Sequence, residues 1–325
     1  TGVKSMKLED IKNITVLGSG IMGHGIAQSF LMGGYEVVLF DISEPILATA
    51  RAHVKKNLEL FFKSDIIKEE EIEACMGKLS TTTDLEKAVC EADFIVEAVP
   101  EDLNLKQGLF EKIESFCSNT AIIASNTSSL TLKEIGERVK HKSRLVVTHW
   151  FNPPHIVPTV EVVKTEDTSD ETADVAYALM EKIKKSPVLV NWEIPGFIVN
   201  RIQIAMVREV LNLYKMGVAS AADIDRAVKG SMGFRLASIG PLLTIDLGGV
   251  KLWRSVCANL LPQIESATTT PASLEDLIAE GHDGIKSGKG FYDYSVDFSE
   301  DDLDKVVKQR DQEFLNRLKN LYLEK

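Results

Sequence analysis

The sequence predicts an α/β domain built on a parallel sheet, followed by an all-helical domain. Three observations carry that prediction. Short runs rich in valine and isoleucine alternate with helical stretches through the first 193 residues, the pattern of βαβ units. The strand runs are nearly continuous in apolar residues, as strands covered on both faces are. After Pro195-Gly196 the apolar spacing becomes helical and stays so.

Ile14-Thr15-Val16-Leu17 is the first strand and runs into glycines. Ile21 to Met32 follows as a helix, stopped by Gly33 and Gly34. Tyr35 to Phe40 is the second strand, and Pro45 to Lys63 a long helix with a basic face. Phe94-Ile95-Val96, Ala121-Ile122-Ile123 and Leu145-Val146-Val147 are further strands with helical segments between them. Pro187 to Val190 is the last. Beyond it, Ile198 to Met216, Ala221 to Lys229, Pro241 to Leu261, Leu274 to Glu280 and Asp301 to Leu323 are helical. The expected domains are 1–193, dinucleotide-binding, and 194–325, a helical domain for substrate and dimer contacts.

Composition narrows the function classes. The chain has 325 residues, 44% hydrophobic and 26% charged, the balance of a globular protein. Lys plus Arg is 37 and Asp plus Glu is 48, so the formal charge is −11, unlike a basic nucleic-acid binder. The four cysteines are widely spaced with no CxxC pair, which argues against a zinc site or a disulfide framework and for a reducing, cytoplasmic setting. No apolar run reaches the roughly 18 residues of a membrane helix. The opening segment Thr1 to Asp10 is polar, without the apolar core of a signal peptide. Neither nucleic acid nor membrane is an expected partner.

Gly18-Ser19-Gly20-Ile21-Met22-Gly23 matches G-x-G-x-x-G between the first strand and the first helix. Gly18 makes the tight turn, Gly20 lets the backbone approach a pyrophosphate, and Gly23 allows close helix–strand packing. The helix N-terminus, with Ile21 and Met22 in its opening turn, offers N–H groups and a positive dipole end to phosphate. Asp41 ends the second strand, 23 positions after Gly18. A carboxylate there accepts from ribose hydroxyls and repels a 2′-phosphate, so the expected cofactor is NAD in a Rossmann-like domain.

Six segments extend the match. They are Gly18 to Gly23, Ile95-Val96-Glu97-Ala98-Val99-Pro100-Glu101, Ser125 to Leu130, His149-Trp150-Phe151-Asn152-Pro153-Pro154 through Glu161, Pro195 to Arg201, and Lys286 to Tyr294. In this order and spacing the sequence resembles the L-3-hydroxyacyl-CoA dehydrogenase superfamily. The resemblance implies an NAD-dependent interconversion of (S)-3-hydroxyacyl-CoA and 3-oxoacyl-CoA, a homodimer formed by the helical domain, and an active site between the domains.

Oxidising a secondary alcohol requires a hydride acceptor and a base for the hydroxyl proton. His149 suits the base, because imidazole titrates near neutral pH and this one follows a strand whose carboxyl end meets the ligand crevice. Glu161 lies 12 positions on, among valines, where a carboxylate needs a partner. The resemblance makes the two a dyad. His155 is the rival, read as a substrate-loop residue or an exposed histidine. Ser128 and Asn200 match family positions that bond to the substrate oxygen; the alternatives are helix capping for Ser128 and an interdomain bond for Asn200. Glu101, Lys106, Asn152 and Lys286 match positions near the nicotinamide and its ribose, while the plain reading of such lysines is a solvated charge.

Two departures bear on the substrate. The segment Gly233 to Pro241 carries Arg235 and resembles the branch that includes lambda-crystallin, an L-gulonate 3-dehydrogenase, and carnitine dehydrogenase. A guanidinium fork suits a free carboxylate, although a salt bridge between domains or subunits would use it equally well. The long helix after Asp41 carries the family's contacts to CoA phosphates, and here it offers Arg51, Lys55, Lys56 and Lys63. Asn57 and Ser64 stand where better-known members have a serine and a lysine. A cationic face could attract CoA, or be simply solvated. The leading expectation is a short-chain 3-hydroxyacyl-CoA substrate. A free 3-hydroxy acid is the alternative, and a non-catalytic crystallin-like role the second one.

Overall fold

A computed structural model describes residues 6–294 and 300–323; the first five residues of the polar opening segment lie outside them. The chain divides into two compact units. The first comprises residues 1–198 together with 310–325, and the second residues 199–309. The end of the last helix therefore belongs to the first unit, not to the helical one.

The first unit is an eight-stranded sheet with helices around it. In chain order its elements are β1 (Asn13–Leu17), α1 (Gly23–Met32), β2 (Glu36–Phe40), α2 (Glu44–Lys63), α3 (Glu69–Gly77), β3 (Leu79–Thr82), α4 (Leu85–Val89), β4 (Phe94–Glu97), α5 (Leu103–Phe116), β5 (Ile122–Ser125), α6 (Leu132–Ile135), β6 (Leu145–Trp150), β7 (Thr159–Val163), α7 (Asp170–Lys182) and β8 (Ser186–Val190). The strand order is β3-β2-β1-β4-β5-β6-β7-β8. Every neighbouring pair is parallel except β6–β7, which is antiparallel. Two strands escape sequence reading. The polar β3 has no apolar run, and β7 is bent back beside β6 instead of being reached through a crossover helix.

The central strands are apolar because helices cover both faces. One layer joins Val16, Phe30, Phe94, Val146 and Trp150, and the other joins Leu17, Ile95, Phe110, Val147 and Phe197. Strand alternation assigns each residue its side. The same rule places His149 and Trp150 on opposite faces of β6.

The second unit holds α8 (Val199–Lys215), α9 (Ala221–Val228), α10 (Phe234–Leu236, after a π-helical turn Lys229–Gly233), α11 (Pro241–Gly248), α12 (Val250–Leu260) and α13 (Ala272–Ala279). The single helix expected over Pro241 to Leu261 is two, because Gly249 turns the chain at φ 90°, a conformation glycine accepts readily. The last helix, α14 (Glu300–Leu318), runs back to the first unit, where Leu315 and Leu318 pack on Phe61 and Ile156. Among the described residues no helix is long and apolar enough to cross a membrane.

Candidate active site

The glycine string performs the geometry its spacing demands. Gly18 has φ 93°, and a Cβ there would stand 2.6 Å from the Ala98 carbonyl oxygen. A Cβ on Gly23 would overlap the Gly18 carbonyl oxygen, so only glycine lets α1 begin this close to β1. At Gly20 nothing lies within 4 Å of the Cβ position, which leaves the backbone open to a phosphate. Ser19 donates to Asp41 Oδ2 through both its N–H and its hydroxyl, each at 2.9 Å. That fixes the carboxylate and leaves Oδ1 for a ribose hydroxyl. These residues fit a dinucleotide as they stand. His24, one residue past the string, holds the Gly20 carbonyl through Nδ1 at 2.7 Å, a contact that sequence reading did not single out.

His149 and Glu161 are register partners across β6 and β7, on the same face of the sheet. His149 Nδ1 lies 2.7 Å from Glu161 Oε2, and Glu161 Oε1 accepts from the Ile198 N–H at 2.9 Å. Glu161 is fully buried and His149 nearly so. An ionised carboxylate can only accept, so Nδ1 carries the ring proton and Nε2 presents its lone pair. The ring is held between Phe151, at 4.6 Å between centroids, and Phe197, at 5.4 Å. Gly196 and Phe197 are both left-handed, at φ 77° and 47°, and this turn aims the Ile198 N–H at Glu161. Periodicity offers no signal for Phe151 or Phe197 as walls of the histidine.

Ser128 stands on an exposed loop after β5. Helix capping there falls to Thr131, whose hydroxyl accepts from the Glu134 N–H, so the capping alternative for Ser128 is removed. The loop is gathered instead by Glu101. Its Oε1 accepts from Thr127 Oγ1 at 2.6 Å, from the Ser128 and Ser129 N–H groups at 3.1 Å and from Ser129 Oγ at 3.0 Å. Its Oε2 lies 3.1 Å from Lys106 Nζ. Burial alone would raise the Glu101 carboxyl, but the Thr127 hydroxyl, the lysine and the loop N–H groups outweigh it and hold it at about 2.

Lys106 is not a solvated charge. It is 1% exposed and pairs at 2.6 Å with Glu97, itself wholly buried, whose other oxygen accepts from Ser125 Oγ at 2.6 Å. Glu97, the last residue of β4, was legible only as a carboxylate ending an apolar strand. Removing one member of such a buried pair typically costs about 3–5 kcal/mol, because the other charge is left uncompensated.

Three expectations need correction. His155 is not exposed; it is buried, its Nδ1 packed at the place where a Cβ on Gly25 would come within 2.8 Å. Arg51 is not free for a ligand, since its guanidinium holds the Leu79 carbonyl at 2.7 Å and the Met76 carbonyl at 3.3 Å. Lys55, also exposed, pairs with Glu73 at 3.5 Å, which leaves Lys56 and Lys63 as the cations of that face without an ion-pair partner among the described residues. Asn152 is exposed, in the loop leaving β6. Asn200, Arg235 and Lys286 belong to the second unit: Asn200 in the first turn of α8, Lys286 exposed in a 3₁₀ turn, and Arg235 exposed, bonded only weakly to Ser231 one turn back.

A glycine-loop nucleotide cradle and a buried His–Glu pair on one sheet define an NAD-binding oxidoreductase. Residues 13–193 match the family model for the 3-hydroxyacyl-CoA dehydrogenase NAD binding domain, and residues 196–294 that for its C-terminal domain. The human mitochondrial hydroxyacyl-coenzyme A dehydrogenase is 34% identical over 301 residues, covering 90% of this chain and 95% of that protein. A 5-formyl-3-hydroxy-2-methylpyridine 4-carboxylate 5-dehydrogenase of Mesorhizobium japonicum is 30% identical over 285 residues, covering 88% of this chain and 91% of its own. A crystal structure of an enzyme of that name, an NAD+ dependent dismutase, superposes with a TM-score of 0.89 at 28% identity, over 97% of this chain and all of the other. The chain belongs to the 3-hydroxyacyl-CoA dehydrogenase family.

Proposed function

We propose that this protein oxidises the 3-hydroxyl of a short (S)-3-hydroxyacyl-CoA, and reduces the matching ketone, with His149 as general base and acid. The observation that carries this reading is the 2.7 Å contact between His149 Nδ1 and a fully buried Glu161. With Nδ1 committed as donor, Nε2 takes the hydroxyl proton, and Glu161 offsets the charge the ring gains. Bound NAD supplies the hydride acceptor. The Ser128 hydroxyl, on the loop gathered by Glu101, and the Asn200 amide donate to the substrate oxygen as charge develops on it. A turnover contribution of roughly 10²–10⁴-fold is what a positioned acid–base group supplies.

The second reading is a free carboxylate as substrate. It is favoured by the pinning of Arg51 and by the cover over Ser64, whose hydroxyl accepts from Gln312 of the final helix at 3.2 Å. Both reduce what α2 can offer to CoA. Arg235 has no carboxylate partner among the described residues, and a relative's name specifies a pyridine carboxylate. NADH oxidation with acetoacetyl-CoA, run beside free acetoacetate and dehydrocarnitine, separates the two. Turnover on the thioester alone supports the first reading. Turnover on a free keto acid alone overturns it and makes Arg235 the carboxylate anchor, so that Arg235→Met would raise KM for that acid.

We also propose that the helical unit pairs with a second copy of itself. Phe234 is 76% exposed, Leu242 77% and Leu247 71%, a concentration of exposed large apolar side chains that marks an interface. The four free cysteines support a reducing compartment such as the cytosol.

A further inference from the structure

The first unit contains a cavity of about 880 Å³, well inside the range of small-molecule sites. It is walled by the end of α1, the turn after α2, the loop between β6 and β7, the turn from α7 into β8, and the end of the final helix. It lies on the α1 side of the sheet. Trp150, which packs on Phe30 of α1 at 5.8 Å between ring centroids, faces that side, and His149 faces the other. The dyad therefore leaves this cavity unused.

Two nitrogen groups line it, one on the half-buried Lys185 and one on His155. Lys185 donates to the Pro154 carbonyl at 2.6 Å and the Val157 carbonyl at 3.0 Å, and its Nζ lies 5.3 Å from the Trp150 ring centre. An ammonium has three donors, so one remains. No carboxylate among the described residues pairs with it. His155 is buried, and its Nδ1 has no hydrogen-bond partner. A neutral imidazole carries one N–H, so the ring is able to serve as a second donor. The groups acting on His155 are all basic: His24 on α1, Lys185 before β8, and Arg310 on the final helix. Burial holds Lys185 at about 7 and, with those three neighbours, His155 at about 3. Neither base has a carboxylate partner among the described residues, and Lys185 when charged lacks a counter-charge.

The walls restrict what can supply that counter-charge. Phe61, Tyr177 and Tyr322 offer aromatic surface, which suits an apolar body. Asp65, Glu71 and Glu181 also line the cavity together with Lys182, Lys184 and Lys319, so the charge of the lining is close to balanced and matches a ligand of low net charge. We propose that this cavity is a second binding site, separate from the dyad, for a monocarboxylate with an aromatic or short aliphatic body, its carboxylate held by Lys185 and His155. Occupancy would stiffen the loop after His149, because the two carbonyls that hold Lys185 belong to it.

Isothermal titration of benzoate and octanoate into the full chain saturated with NADH tests this, with benzamide as the uncharged control. The expected result is saturable binding of a carboxylate and benzamide weaker by about tenfold or more, the loss of one charged hydrogen-bond partner. Lys185→Met should weaken the carboxylate to the same degree and leave benzamide unchanged. Tyr322→Ala, on the cavity wall, should weaken both probes and remains informative if Lys185→Met does not fold. Absence of carboxylate binding, or binding that neither variant alters, would overturn the proposal.

Discussion

Strand β6 and helix α11 are both short and largely apolar, yet their side chains end in opposite places. All six residues of β6 are buried, and the two polar ones, Thr148 and His149, are buried with them. None of the eight residues of α11 is buried. The difference is one of completeness. β6 sits between β5 and β7 with helices over both faces, so its apolar residues find partners within the first unit. α11 packs mainly on its neighbour α12, whose residues are likewise not buried. The uncovered apolar sequence of α11 is what supports the proposed pairing with a second copy, whereas apolar sequence fully covered, as in β6, gives a rigid frame for chemistry.

The strongest way to break the first half of that comparison is Glu161→Gln. It keeps the shape of the side chain and removes the charge behind His149. We expect kcat to fall by about 10²-fold or more, with NADH affinity retained. Steady-state kinetics beside a fluorescence titration of NADH checks it, and loss of binding in step with turnover would argue for a collapsed site instead.

The second half is challenged at α11. Leu242→Glu with Leu247→Glu should loosen self-association by about 10²-fold or more, since central apolar anchors dominate such interfaces. Light scattering should show a dimer for the parent chain and a monomer for the variant. A parent monomer at micromolar concentration would contradict the assignment of that face to a second copy.

Asp41→Ala sharpens the account of the nucleotide cradle. Its carboxylate is held by Ser19 and stands where a 2′-phosphate would be repelled. The preference for NAD over NADP, read as a ratio of kcat/KM values, should drop by about tenfold.

The smallest expected effect is at Glu101. Its carboxyl sits at about 2 in the folded chain, below the ordinary value of about 4.3 for glutamate. A depressed carboxyl contributes stability that is complete above the ordinary value and lost as pH falls toward the folded one. Urea unfolding at about pH 5 and about pH 3 should therefore show a steeper loss for the parent chain than for Glu101→Gln. Equal slopes would remove Glu101 from the acid sensitivity of the fold.

Much of the first unit was legible because its signals are local. The glycine string, β1 and β2 on either side of it and the acid just after β2 lie within some thirty residues of one another, and each has a single physical reading. The His149–Glu161 spacing was legible as a pattern, but the antiparallel return of β7 that makes them register partners was not, because an apolar run does not state its direction. The burial of His155 and the pinning of Arg51 escaped sequence reading for a common reason. Their surroundings come from chain segments far away: the ends of α3 and β3 for the arginine, α1 and the final helix for the histidine. The final helix itself returns to the first unit through only a few apolar residues in a highly charged segment, so its charge pattern conceals the contact.

The central claim is that His149 Nε2 moves the substrate proton. The most direct measurement is NADH oxidation with acetoacetyl-CoA by the parent chain and by His149→Gln, with NADH affinity measured on both. Turnover should fall by about 10²–10⁴-fold while NADH still binds. Near-parent turnover in His149→Gln would contradict the assignment and require another group to carry the proton.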